Sequence, residues 1–191
     1  VWRIVSGTLA FALGVFICGS VGSYDPLDPS WNAATNRSVE NLFGAGGADT
    51  LLAGSGDDAL IGGDGDDVIS GGAGNDLLYG GIDNDTVYGG DGDDSITAGE
   101  DDDIVYGGDG DDFVDATNTA GGSDTIYGGA GKDTLQHDNE TALVYGGTGD
   151  DRIVNVHTTG ITTSIFGGDG IDTIFGGADD EPEGGLLLAL L

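Results

Sequence analysis

The sequence predicts an all-β fold: a parallel β-roll of two sheets, a solenoid, preceded by one N-terminal apolar helix. Three observations predict it. A nine-residue pattern, Gly-Gly-x-Gly-x-Asp-x-U-x with U aliphatic, runs through residues 44–175. The eighth position of each copy is aliphatic. Residues 4–22 carry no charge.

Seven copies keep all the fixed glycines and the aspartate, beginning at Gly62, Gly71, Gly89, Gly107, Gly128, Gly146 and Gly167. Weaker copies begin at Gly44, Ala53, Gly80, Ala98, Thr119 and His137. Each repeat divides into a six-residue turn and a three-residue strand. Glycine permits positive φ and close backbone approach, so the turn can aim carbonyls inward. Carbonyls with an aspartate carboxylate form an all-oxygen set, which suits calcium, a hard cation taking about six to eight oxygens. The nonapeptide is the calcium-binding parallel β-helix pattern.

The strand sends positions seven and nine outward and position eight inward. The inward row reads Leu51, Leu60, Ile69, Leu78, Val87, Ile96, Val105, Val114, Ile126, Leu135, Val144, Ile153, Ile165 and Ile174. Burying each contributes about 1.5–3 kcal/mol. Ordering the backbone costs about 1–2 kcal/mol for every residue of the nine. Apolar burial alone cannot hold the coil closed, so metal must supply part of the folding free energy.

These repeats resemble those of RTX proteins, the hemolysin-type calcium-binding repeats. The resemblance covers roughly residues 44–177. It implies that two successive nonapeptides make one coil and that calcium sits between turns stacked on the same edge. It also implies a bacterial, secreted protein that is disordered until it meets millimolar calcium.

The candidate metal ligands follow the register. At position six they are Asp49, Asp58, Asp67, Asp76, Asp85, Asp94, Asp103, Asp112, Asp124, Asp133, Asp151 and Asp172. At position five they are Asp57, Asp66, Asn75, Asp93, Asp111 and Asp150. The even-numbered turns, beginning at Ala53, Gly71, Gly89, Gly107, Gly128, Gly146 and Gly167, all keep Gly at position four and Asp at position six. The odd-numbered turns decay. Asp83 and Asp101 replace the fourth-position glycine, and the turn at His137 lacks the sixth-position aspartate. Residues 155–163 have lost the motif. Three extra residues fall at 116–118 and three more within 155–163, both on the odd edge. Several calcium ions are expected, mainly along the even edge, with the odd edge fading beyond Asp124.

Strands after the odd turns end in Tyr88, Tyr106, Tyr127, Tyr145 and Phe166, which should stack on one sheet. Such a ladder adds about 0.2–1 kcal/mol per cross-strand pair. The alternative role is a flat aromatic face for carbohydrate or a partner protein.

Formal net charge is −31, from 35 acidic and 4 basic residues, with 40 glycines. Without calcium this composition favours disorder. A nucleic-acid partner is excluded by repulsion from phosphate. The one cysteine, Cys18, allows no disulfide within the chain. No HExxH, GxSxG or zinc-type cysteine spacing occurs, so no enzyme is predicted. His137 and His157 fall in degenerate turns and are expected to be exposed.

Residues 4–22 are about long enough to span a bilayer. With Arg3 ahead and acids behind, they read as a signal anchor with the repeats outside, or as a cleaved signal peptide. The string Tyr-Asp-Pro-Leu-Asp-Pro-Ser-Trp-Asn at residues 24–32, followed by Val-Glu-Asn-Leu-Phe-Gly at 39–44, is similar to the first membrane segment and periplasmic loop of FtsK-type septal DNA translocases. That resemblance implies topology only, since no Walker A motif exists. The string at 128–133 has Lys132 but puts Asp133 where Ser or Thr should bind magnesium.

Four segments result: an anchor or signal peptide at 1–22, an extracytoplasmic linker at 23–43, the roll at 44–177 and an acidic then apolar tail at 178–191. That tail either caps the roll or belongs to a type I secretion signal. The expected function is calcium binding by an exported, extracellular or cell-surface β-roll, held to the membrane through residues 4–22 if these are uncleaved. One alternative is the repeat region of a larger secreted hydrolase, toxin or adhesin. The other is a fragment or mosaic of a septal translocase N-terminus.

Overall fold

A computed structural model describes residues 32–34, 39–117, 121–138, 141–156, 163–176 and 187–189. These residues form strands and turns, with no helix among them. The predicted N-terminal apolar helix lies outside the described residues.

One sheet has nine strands in the order β1 (Asn32–Ala34), β3 (Thr50–Ser55), β5 (Val68–Ala73), β7 (Thr86–Asp91), β9 (Ile104–Asp109), β11 (Thr125–Ala130), β13 (Leu143–Thr148), β15 (Ser164–Asp169) and β17 (Leu187–Ala189). The other has eight, in the order β2 (Asn41–Gly46), β4 (Ala59–Asp64), β6 (Leu77–Ile82), β8 (Ser95–Gly99), β10 (Phe113–Ala116), β12 (Thr134–His137), β14 (Arg152–Asn155) and β16 (Thr173–Phe175). All pairings are parallel. The chain therefore alternates sheets at every turn, and two nonapeptides make one coil. Leu51 pairs with Ile69, which pairs with Val87.

The position-eight row is the core. From Leu51 to Ile165 every member is 0 % exposed, and Ile174 packs against the row at its end. Leu42 extends it by one repeat at the start.

Most strands are longer than the expected three residues, running six in β3 to β7. They take in the two glycines and the third residue of what reads as turn. Without side chains, the glycines let the parallel ladder continue to the corner, leaving only positions four to six to reverse the chain. Position one thereby becomes a second inward-facing position. It is buried at Ala53, Ala98 and Ala116.

The odd turns lead from the eight-stranded sheet to the nine-stranded one. Both three-residue insertions fall on that edge, and the offset of any coil that contains one lengthens from eighteen to 21 residues, as from Asp103 to Asp124 on that edge and from Asp151 to Asp172 on the other. The outward rings of Tyr88, Tyr106, Tyr127, Tyr145 and Phe166 stack at centroid distances of 4.9, 4.9, 5.1 and 4.8 Å, within 11° of parallel.

Candidate metal centre

Each position-six aspartate closes a corner of the roll, and all but Asp172 are at most 3 % exposed. Their backbone groups are used up by the coil ahead. Leu77 N–H donates to the Asp58 carbonyl at 2.8 Å, and the Asp58 amide donates to Asp76 Oδ1 at 2.8 Å. The same amide-to-carboxylate bond links Asp76 to Asp94, Asp94 to Asp112, Asp112 to Asp133, Asp133 to Asp151 and Asp151 to Asp172, at 2.7–3.0 Å. On the odd edge it links Asp49, Asp67, Asp85, Asp103 and Asp124 in sequence at 2.7–2.9 Å. There it ends, because Ala142 and Thr163 take the corner.

In nine of these carboxylates one oxygen remains. Oδ2 of Asp58, Asp67, Asp76, Asp85, Asp94, Asp103, Asp112, Asp133 and Asp151 is buried and accepts no hydrogen bond. Leaving a buried carboxylate oxygen unsatisfied is costly, roughly 1–3 kcal/mol or more. Nor do the described residues place a Lys or Arg counter-charge at the corners. Lys132 pairs with Asp150 outside them at 3.4 Å, and Arg152 lies over the Phe175 ring at 5.0 Å.

Burial accordingly pushes these carboxyls up. Asp76, Asp94 and Asp133 rise to about 6, Asp85 and Asp112 to about 7 and Asp103 to about 8. Desolvation is the main cause and neighbouring carboxylates add to it. The accepted amide bond works the other way.

The orphaned oxygens point to the first glycine of their own turn. A Cβ on Gly44 would lie 2.7 Å from Asp49 Oδ2 and 2.5 Å from the Gly62 carbonyl of the next coil. A Cβ on Gly62 would meet Asp67 Oδ2 and lie 2.6 Å from the Gly80 carbonyl. Carboxylate and carbonyl oxygens from successive coils thus face one small space that glycine leaves open. Among the described residues no three Asp, Glu, His or Cys side chains converge on one point. A cation here would draw on a few Oδ2 atoms and backbone carbonyls, an oxygen set that fits calcium.

The position-five candidates stand elsewhere. Asp57, Asp66, Asn75, Asp93, Asp111 and Asp150 are exposed. Their Oδ1 atoms accept amides from the following coil, opposite in sense to the inner ladder: Asn75 N–H to Asp57 at 3.0 Å, Asn84 to Asp66 at 3.1 Å, Asp93 to Asn75 at 3.0 Å. Asp111, Lys132 and Ile171 donate likewise to Asp93, Asp111 and Asp150. This row trims the outside of the corner and is not part of the buried oxygen set.

Two features escaped the sequence reading. Glu40 occupies a position-six corner, buried, its amide donating to Asp58 Oδ1. Nine-residue spacing back from Asp49 and Leu51 points to Glu40 and Leu42. His137, expected to be exposed, is fully buried, because its place in the register is the inward position one. His157 lies outside the described residues.

A family model of the RTX calcium-binding nonapeptide repeat matches residues 43–78, 79–114, 118–139, 143–154 and 159–181. A second, the 4TM region of DNA translocase FtsK/SpoIIIE, matches residues 1–56. No curated protein matches the chain.

Proposed function

The chain belongs to the RTX calcium-binding nonapeptide repeat family, and on that premise we propose that its roll is a structural module completed by calcium outside the cytoplasm. The observation that carries this reading is the row of buried, unsatisfied Oδ2 atoms. Bound calcium would supply the positive charge that the corners lack. The aspartates orient and hold, with Oδ1 tied to the neighbouring coil and Oδ2 turned to the glycine-lined space. The even edge, with seven aspartates from Asp58 to Asp172, is the main site of several ions. The odd edge takes fewer, ending near Asp124. No catalytic role is assigned to any residue.

Family repeats of this kind are typical of secreted proteins, and the match of residues 1–56 to a membrane region supports attachment through residues 4–22. The aromatic ladder is best read as cross-strand support. The three inner rings, Tyr106, Tyr127 and Tyr145, are covered on both faces, so a sugar would find no free face on them and a protein would meet their edges and hydroxyls.

Circular dichroism of the full chain tests the folding reading. In chelator the repeats should be largely disordered, gaining β-structure at calcium concentrations of about 10⁻⁴–10⁻³ M. Identical β-rich spectra in both conditions would sink it. For location, a reporter fused after Gly177 should be active only as an extracytoplasmic type, and strong activity from a cytoplasmic reporter would reverse the topology.

A further inference from the structure

In the intact turns, positions one and six are sterically linked. Position one is glycine or alanine, never larger, and a Cβ on the glycines would meet the position-six carboxylate. At Gly128 a Cβ would meet Asp133 Oδ2 and lie 2.5 Å from the Gly146 carbonyl. Beyond Asp124 the odd edge changes both members together. The sheet register aligns Ala116, His137 and Asn155 in the position-one row. Position six becomes Ala142, then Thr163. All five are buried, with His137 at 0 % and Asn155 at 2 % exposure.

Ladder bonds are kept on either side of the corners that lose the carboxylate. Leu143 N–H donates to the Asp124 carbonyl at 2.9 Å, Val156 to His137 at 2.9 Å and Ser164 to Ala142 at 2.9 Å. Asp124 and Ala142 are one ordinary coil apart, with no insertion between them. An imidazole and a carboxamide therefore stand in the row that elsewhere holds only glycine or alanine.

We propose that His137 and Asn155 are exclusion residues: their side chains fill the odd-edge corners beyond Asp124 and close them without calcium. This rests on the calcium reading of the intact corners. It explains why the two corners beyond Asp124 that lose the aspartate are also the two that carry a side chain larger than alanine at position one. A corner with neither carboxylate nor plug would hold a void, and a corner with both would be overpacked.

The test exchanges the two corner types in the full chain, with calcium uptake measured by equilibrium dialysis and β-structure by circular dichroism. The double variant H137G/A142D rebuilds the glycine–aspartate pair and should take up more calcium than the parent, by about one ion, whereas A142D alone should not. The reciprocal variant G128H/D133A copies the plug onto the even edge. It should lose about one or two ions while keeping its β-sheet signal in calcium. Equal uptake by H137G/A142D and the parent overturns the inference, as does equal gain by A142D alone. If H137G/A142D does not fold, the reciprocal decides: unchanged uptake, or loss of the β-sheet signal, overturns the inference. A parent that takes up no calcium instead overturns the proposed function, so the two failures are distinguishable.

Discussion

The Asp103 amide donates to Asp124 Oδ1 at 2.9 Å, across 21 residues of chain, and this bond is the last rung of its ladder. On the opposite edge the corresponding bonds run on from Asp112 to Asp133, Asp151 and Asp172. The two edges of one roll thus carry carboxylate rows of different length.

That difference sets the first prediction. Asp94→Ala removes a middle rung, leaving the Asp76 amide without its acceptor and withdrawing a buried oxygen. The loss should be about 1–3 kcal/mol of folding free energy, raising the calcium midpoint of folding. Thr163→Val, at the equivalent corner of the decayed edge, should shift the midpoint much less. Equal shifts in a calcium titration would refute the assignment of edges.

The raised carboxyls predict opposite pH responses with and without metal. Their folded values, about 6 to about 8 for Asp76, Asp85, Asp94, Asp103, Asp112 and Asp133, exceed the ordinary value of 3.8. The folded form therefore binds more protons in that window, and stability must fall as pH rises through it. In chelator, β-structure should increase from pH 9 down to pH 5, on the order of these values. In calcium, protons compete for the same oxygens, so acid should weaken folding. A chelated chain that gains structure as pH rises would contradict the burial of these groups.

Glycine-to-alanine changes should separate the corner from the rest of the strand. At Gly107 a Cβ would meet Asp112 Oδ2 and the Gly128 carbonyl. At Gly46 the nearest such atom is the Asp64 carbonyl at 3.9 Å. G107A should cost about 1–3 kcal/mol in calcium-bound stability, by overpacking, and G46A much less. Denaturant titration in saturating calcium measures both, and equal costs would mean that the corner has no tight interior.

How far the fold was legible depends on which rule each residue obeys. Ile126 and Val144 could be placed inward from spacing alone, because a strand alternates faces and the period is strict. The corner aspartates could be found because a charged residue held in register with glycine has a reason to be there. His137 could not be placed so, because the strand was expected to stop before it. The ladder continues through position one, and its face depends on that continuation. The position-five residues resisted for a related reason. Asp57 and Asp58 are adjacent and chemically identical, and only the backbone turn sends one outside and the other in.

The tyrosine ladder should show a position effect. Tyr127 is stacked on both sides, between Tyr106 and Tyr145, whereas Tyr88 is stacked on Tyr106. At about 0.5–1.5 kcal/mol per aromatic pair, Tyr127→Ala should cost roughly twice as much as Tyr88→Ala. Chemical unfolding in calcium measures the difference, and matching losses would show that stacking contributes nothing beyond side-chain burial.

The alternation of the chain between two sheets sets the step by which such a gene can change length. Removing a whole coil of eighteen residues, the offset from Asp58 to Asp76, would return every later strand to its own sheet and every later corner to its own edge. Removing a single nonapeptide would exchange the edges for all that follows. Tyr106 would then lie on the opposite sheet from Tyr88, and the long carboxylate row would be spliced onto the short one. Duplication and loss within this array should therefore be tolerated in pairs of repeats, and a lone repeat gained or lost in mid-array should break both ladders at once.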